Sequence, residues 1–466
     1  MMGRRDEYLA LLKELEPVPA ALDGTVERAV QRRAARRRAG RFLGIPAGSL
    51  AACFVGFILL VNLFPPFAKA CGDVPVLREL AKAVAWSPSL SAAVENDYVQ
   101  PMEQTQTKDG ITVSVEYLIV DRKQLNIFYT LRSKEYSQLE ADAHIHLEVE
   151  ENGSFSCGSG SYGTPNGELR SVRADFIERD IPGTIELELS VWAPPAENEA
   201  PQRSSEDDAF QEPEGKDTRY LADFTFSLSF DPRYTAQGRI IPVDASFDLD
   251  GQTLTLTEVE MYPTHLRIDL ADDAANSAWL AGLELYLENE HGERFYTCTN
   301  GISATGDPDG EGMGTFWLDS PFFSQGQHLT LHITRAKWLD KSAPMTKLDL
   351  RSGTAEHLPE GIQFLGAIER SGGWLASFAA PMENRDHMYS LFKSGFYETP
   401  DSERREIHQF TSTIGIEDPF TQERTEEDTM FTEQFPLKGY HGDTVYLEPI
   451  FDHVTVYETP VSIPIV

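Results

Sequence analysis

Over most of the chain, apolar and polar residues change places at every second position. ITVSVEYLIV from Ile111, LNIFYTL from Leu125, HIHLEVE from His144, TIELELSVW from Thr184 and FTFSLSF from Phe224 all alternate in this way. They are rich in β-branched and aromatic side chains, the mark of strands with one buried face. Gly, Pro, Asp and Asn punctuate them. The pattern predicts a mainly β protein of antiparallel sheets, with tandem Ig-like sandwiches as the expected architecture. Two regions depart from it. In PVLRELAKAVAW the apolar residues Val76, Leu77, Leu80, Ala83 and Val84 fall near helical spacing, so a short helix is expected to open at Pro75. Near the N-terminus, Tyr8, Leu11, Leu12 and Leu15 form one apolar helix face. Glu16-Pro17-Val18-Pro19 ends it, and Leu22, Val26 and Val30 mark a second face.

The strand pattern also repeats. DGITVSVEYLIVDRKQLNIFYTL starts at Asp109 and DGQTLTLTEVEMYPTHLRIDL at Asp250. In both, Asp-Gly opens a strand, Thr follows two residues after the Gly (Thr112, Thr253), and a second strand begins fifteen residues after the Gly, at Leu125 or Leu266. The shared offset predicts two related β units. EGIQFLGAIERSGGWLASF, from Glu360, reads as a further hairpin of a third unit.

Between the two patterns lies an uncharged stretch, Phe42 to Phe64, of 23 residues. As a helix it is about 34 Å long, enough for a bilayer core of about 30 Å. It is longer and further from the N-terminus than the apolar region of a cleavable signal, which favours a permanent anchor. Ala68-Lys69-Ala70 keeps a cleaved signal open, and Ala70-Cys71 keeps a lipoprotein site open. Arg28, Arg32, Arg33, Arg36, Arg37, Arg38 and Arg41 crowd the N-terminal flank, against Lys69 and Arg78 beyond the stretch. The positive-inside rule places the N-terminus in the cytoplasm and the C-terminal part outside, with Arg32, Arg33, Arg36, Arg37, Arg38 and Arg41 determining topology.

Charge sharpens the division. The 466 residues carry 40 basic and 74 acidic side chains, a net charge of −34. Residues 1–41 hold 10 basic and 6 acidic ones, so the remainder carries −38. An exterior this acidic excludes a nucleic-acid partner and suits a self-repelling extracytoplasmic part. Four cysteines (Cys53, Cys71, Cys157 and Cys298) make no disulfide framework, although one Cys157–Cys298 bridge is open against two separate thiols. The expected organisation is a helical basic tail over 1–41, a transmembrane helix over 42–67 and a helical bridge over 68–97. A first sandwich over 98–231 contains an acidic loop at 194–217, and a second sandwich over 232–355 and a β-rich domain over 356–466 follow.

Candidate chemistry is sparse. No phosphate loop, Gly-x-Ser-x-Gly elbow or His-Glu-x-x-His occurs. Ser390 and Lys393 match Ser-x-x-Lys without its companion motifs, and chance explains the match. His144 and His146 share a strand face, where a solvent-facing pair is the plainer account than a metal. Asp307, Asp309 and Glu311 alternate in GDPDGEG but lack the Glu that completes an EF-hand loop. No catalytic residue, cofactor or metal ligand is assigned, and no enzyme is expected. The near-neutral Tyr8, Leu11, Leu12, Leu15 face fits a protein groove better than an anionic membrane.

FPPFAKACGDVPVLRELAKAV and AVENDYVQPMEQTQTKDGITVSVEYLIVDRKQLNIFYTL resemble a family of single-pass membrane proteins with domain of unknown function 4179. That family is encoded beside extracytoplasmic-function sigma factors and treated as candidate anti-sigma factors. DLDGQTLTLTEVEMYPTHLRIDL resembles its companion sandwich, domain of unknown function 5643. The resemblance implies a membrane-anchored sensor whose tail holds such a sigma factor. The alternative is a non-enzymatic structural or adhesive protein of the cell envelope. Neither identifies an extracellular ligand.

Overall fold

The structure, a computed structural model, describes residues 75–147, 155–159, 163–194, 219–235, 238–306, 312–382, 390–393, 395–407, 410–421, 425 and 429–465. The chain is mainly β, in several antiparallel sheets. Two helices lead in: α1 (Pro75–Val84) and α2 (Pro88–Glu95). Pro75 opens α1 as expected. Ser87 caps α2, its Oγ accepting from the Leu90 amide at 3.3 Å.

The first repeat holds β1 (Gln100–Lys108), β2 (Ile111–Val120), β3 (Gln124–Ser133), β4 (Glu140–His146), β5 (Phe155–Ser159), β6 (Leu169–Phe176), β7 (Thr184–Trp192) and β8 (Tyr220–Ser229). They pair in two sheets, β1-β2-β3-β6-β5 and β4-β7-β8. After the single turn α3 (Pro232–Thr235) the second repeat follows. Its strands are β9 (Arg239–Leu249), β10 (Gln252–Met261), β11 (Leu266–Asp272), β12 (Ala278–Asn289), β13 (Arg294–Phe295), β14 (Ala304–Gly306), β15 (Met313–Leu318) and β16 (Leu329–Asp340). The order β14-β15-β11-β10-β9 reproduces the first sheet of repeat one strand for strand.

The likeness reaches single residues. Asp109-Gly110 and Asp250-Gly251 both have positive φ at each position, the two-residue turn whose twist suits a hairpin. Glu103 and Asp244, each seven residues before the Gly, share a positive φ of 50°. The β2–β3 and β10–β11 ladders both slip between the fifth and seventh residue after the Gly, at Val115/Tyr117 and Leu256/Glu258. A bulge bends its strand and re-aims side chains, so both hairpins bend at the same point.

The third unit contains β17 (Thr346–Asp349), β18 (Thr354–Glu356), β19 (Gln363–Arg370), β20 (Gly373–Pro381), β21 (Phe396–Glu398), β22 (Arg404–Glu406), β23 (Thr411–Ile414), β24 (Met430–Lys438) and β25 (Thr444–Leu447). Its sheets are β18-β17-β25-β21-β22 and β19-β20-β24-β23, with one core that includes Leu348, Val445, Phe378 and Phe435. The last strand, β26 (His453–Pro464), does not stay there. It pairs along β16, in the sheet β13-β12-β16-β26, and Ile463 joins the core of repeat two with Leu254, Ile268 and Leu331. The division at residue 355 expected from composition therefore differs from the pairing. β17 lies before it but belongs to the third unit, and β26 lies after it but belongs to repeat two. Composition marks loops, whereas hydrogen bonding decides which sheet owns a strand. The third unit is an insertion between β16 and β26. The matching connection of repeat one, between β7 and β8, carries the acidic segment, of which 195–218 lie outside the described residues.

Alternation reads correctly in β7 and β8, where Ile185, Leu187, Leu189, Val191, Phe224, Phe226 and Leu228 are buried. β3 departs from it. Its polar positions Gln124, Asn126 and Thr130 are buried as well, because the outer face of this sheet meets other parts of the protein.

Candidate functional site

The tail face Tyr8, Leu11, Leu12, Leu15, the arginines Arg32, Arg33, Arg36, Arg37, Arg38 and Arg41, and the uncharged stretch all lie outside the described residues. Among the described residues no helix is long and apolar enough to cross a membrane. Asp307, Asp309 and Glu311 also lie outside them. His144 and His146 are exposed, and His146 Nε2 lies 2.9 Å from Glu188 Oε2. Lys393 sits on extended chain and donates to Glu448 Oε1 at 2.6 Å, so it shares no helix turn with Ser390. Cys157 and Cys298 are free. Cys157 pairs opposite buried Ala174 and shares its sheet face, whereas the neighbouring Asp175 points toward Asn300 beside Cys298. Cys298 is buried and Cys157 exposed; burial pushes the Cys298 thiol up from the usual range, and partial desolvation raises Cys157 against the pull of Arg173.

A buried polar cluster lies where the repeats meet. The β2–β3 connection of repeat one faces the corresponding β10–β11 connection of repeat two. Asp121 Oδ1 accepts from the amides of Lys123 and Gln124 at 2.9 and 2.8 Å, which shapes its own turn. Its Oδ2 reaches across and accepts from the Thr264 amide at 3.0 Å and hydroxyl at 2.6 Å. Thr264 Oγ1 also lies 2.8 Å from His265 Nδ1. Gln124 donates from Nε2 to Asp175 Oδ1 and to the Asn300 carbonyl, both at 2.7 Å, and its Oε1 accepts from Asn300 Nδ2 at 2.6 Å. Asp121, Gln124, Thr264, His265 and Asn300 are all buried. The Asp121–Thr264–His265 chain is thus closed to solvent, and what it does here is hold the two connections together.

The bridge helices are tied to the same place. Ser89 Oγ donates to Asp319 Oδ1 and accepts from the Ser320 amide, both at 2.8 Å. Ser320 in turn donates from Oγ to the Tyr262 carbonyl. The Thr299 hydroxyl donates to the Trp86 carbonyl at 3.1 Å, while α1 packs against β6 of repeat one. Hydrogen bonds thus run from α2 through Ser320 to the 262–265 connection and on to Asp121. Burial pushes the Asp319 carboxyl up to about 6, against the opposing pull of the Ser89 donors. Asp175 is also raised by burial, with Arg173 pulling it back down.

Close approach at the joint has a residue-level cost. Gly301 has φ +126°, and a Cβ there would fall 2.7 Å from Asp175 Oδ1 and 2.8 Å from Gln124 Nε2. Gly301→Ala is expected to cost about 2 kcal/mol from strain and overlap together. Chemical denaturation checks this. A change below a few tenths of a kcal/mol would mean that the joint accommodates the methyl group and is looser than described.

Glu258, Glu260 and Asp269 bring carboxylate oxygens within 4.8 Å of one another. Arg267 bridges two of them, with Nη1 3.2 Å from Glu260 Oε1 and Nε 3.0 Å from Asp269 Oδ1. This cluster is an ion-pair network and is assigned no metal.

Residues 42–133 match the family model described as Domain of unknown function (DUF4179), and residues 238–359 match Family of unknown function (DUF5643). No curated protein matches the chain. Among solved structures, the conserved domain protein from Bacillus anthracis is similar at 11% identity and a TM-score of 0.37, covering 56% of this chain and 85% of that one. The first family match ends at the last residue of β3 and the second begins one residue before β9, so the two matches fall in that order on the two repeats.

Proposed function

We propose that the protein is a single-pass, membrane-anchored regulator. Its β repeats stand outside the cell, and its N-terminal tail holds an extracytoplasmic-function sigma factor inside. The DUF4179 domain is associated with candidate anti-sigma factors. The observation that carries the proposal is the extent of that family match. A single model runs from the uncharged stretch through α1 and α2 to the end of β3. It therefore covers the uncharged stretch, the bridge and the strands next to the joint in one match. The arginine block and the acidic remainder support the orientation. In this reading the protein acts by binding and release, with no reaction or cofactor of its own.

Leu11→Asp combined with Leu15→Asp tests it in the full-length protein. A leucine buried in a partner's groove contributes about 1.5–3 kcal/mol, so losing two should weaken sigma-factor capture at least about a hundredfold. Transcription of the partner's genes should rise while the protein stays in the membrane fraction. Unchanged capture and transcription would favour the structural or adhesive envelope protein instead.

A further inference from the structure

We propose that the joint between the repeats is a two-position contact, and that the bridge α1–α2 reports which position it holds. This rests on the regulator reading, and it supplies the step between the outer repeats and the span.

The joint is built unlike the cores on either side of it. The cores are apolar, with leucine, isoleucine, valine and phenylalanine from facing sheets. Across the joint run hydrogen bonds between polar groups, Asp121 with Thr264, Gln124 with Asn300, Ser89 with Asp319 and Ser320, beside a ring contact of Tyr98 with Phe323 at 5.8 Å. Such groups recover their bonds in water when a contact opens, whereas an apolar core does not. Asn300 Oδ1 is buried and has no partner in the closed arrangement, so opening also relieves a polar atom. Contacts of this kind between units of one chain permit relative movement unless a large apolar interface forbids it.

The bridge cannot ignore such a movement. α1 packs on β6 of repeat one, and the chain runs from α2 directly into β1. The N-terminal turn of α2 is pinned to repeat two by Ser89. Ser320 links that turn to the Tyr262 carbonyl, two residues from the Thr264 that grips Asp121. If the 262–265 connection leaves Asp121, it carries Ser320 with it and takes from Ser89 both of its partners. The two contacts are then one equilibrium seen at two places, and weakening either must loosen the other.

That reciprocity is the test. Thr264→Val removes the hydroxyl given to Asp121 and touches no residue of α2. In full-length protein held in lipid nanodiscs, it should speed hydrogen exchange at the amides of Ser91 in α2 and of its C-cap Asn96 about tenfold, the equivalent of one weakened hydrogen bond. Ser89→Ala should speed exchange at the Thr264 amide in return. Thr264→Ser, which keeps the hydroxyl, should restore the parent rates. Amides of β20 and β24 in the third unit should not change. Unchanged α2 exchange in Thr264→Val overturns the proposal, and so does an equal acceleration in β20 and β24, which would be global loosening. The readout involves no sigma factor, so failure of the tail to bind one would leave this result standing, and the reverse also holds.

Discussion

Glu433→Gln is expected to make the protein more stable at pH 8, by a few kcal/mol, and to leave stability near pH 4 unchanged. Glu433 lies on the inward face of β24 with Phe431 and Phe435, opposite Phe378, and is only 1% exposed. Burial raises its carboxyl from 4.5 to about 7, opposed only by the Leu391 amide, which donates at 3.2 Å. Because the folded carboxyl holds its proton more tightly than the unfolded one, the folded state binds more protons between pH 4.5 and 7. Stability therefore falls as pH rises through that window and stays reduced above it, by about 1.4 kcal/mol for every tenfold difference in proton affinity between the folded and unfolded carboxyl. Asp319, raised from 3.8 to about 6, acts in the same direction over a lower window. Glutamine keeps the shape and an acceptor for the Leu391 amide without the charge. Denaturation curves at pH 4, 6 and 8 should converge at the acid end and separate at the basic end. A variant less stable than the parent at pH 8 would show that the carboxylate is better solvated than this packing allows.

Arg170→Met should be the most damaging single substitution of the set, with an expected loss of about 3–5 kcal/mol. Arg170 is 1% exposed at the start of β6. Its Nη1 donates to Glu140 Oε2 at 2.8 Å, and its Nη2 donates to the carbonyls of Leu139, at 2.7 Å, and Thr164. Glu140 Oε1 accepts from the Gly163 amide at 2.9 Å and from Gln138 Nε2 at 3.2 Å. Removing the guanidinium strands a buried carboxylate and two carbonyls, which costs far more than the intact pair contributes. Arg170→Met with Glu140→Met should recover much of the loss, since no charge is then left unpaired. A double variant as unstable as the two single losses added would contradict this, because it would deny any coupling between the side chains.

How far the sequence reveals the molecule depends on the range over which each feature is decided. Alternation is local, and it reads β2, β7 and β8 and the β19–β20 hairpin. The Asp-Gly turns are local too, and their matched offset carries through to matching bulges. The same rule misplaces Gln124 and Asn126, because a polar residue in an alternating strand reads as facing water. Here both are buried at the joint. Arg170 and Glu140 look like surface charges, since nothing beside them marks a buried pair. Only the meeting of two units makes Thr264 and Asp121 neighbours, 143 positions apart. The one available hint was that the connections of the two repeats are themselves counterparts.

The return of β26 to repeat two also imposes an order on manufacture. A chain that emerges N-terminus first offers β16 one neighbour, β12, long before it offers the other. Residues 341–452 must be made and moved clear before His453 to Pro464 can complete the sheet. Closing so long a loop slows the step, and until then the edge of β16 stands open. Repeat two therefore closes only after the third unit has been made. A product cut within the third unit keeps the sheet β13-β12-β16 unfinished, and only a chain that runs on through Pro464 brings the strand that seals it.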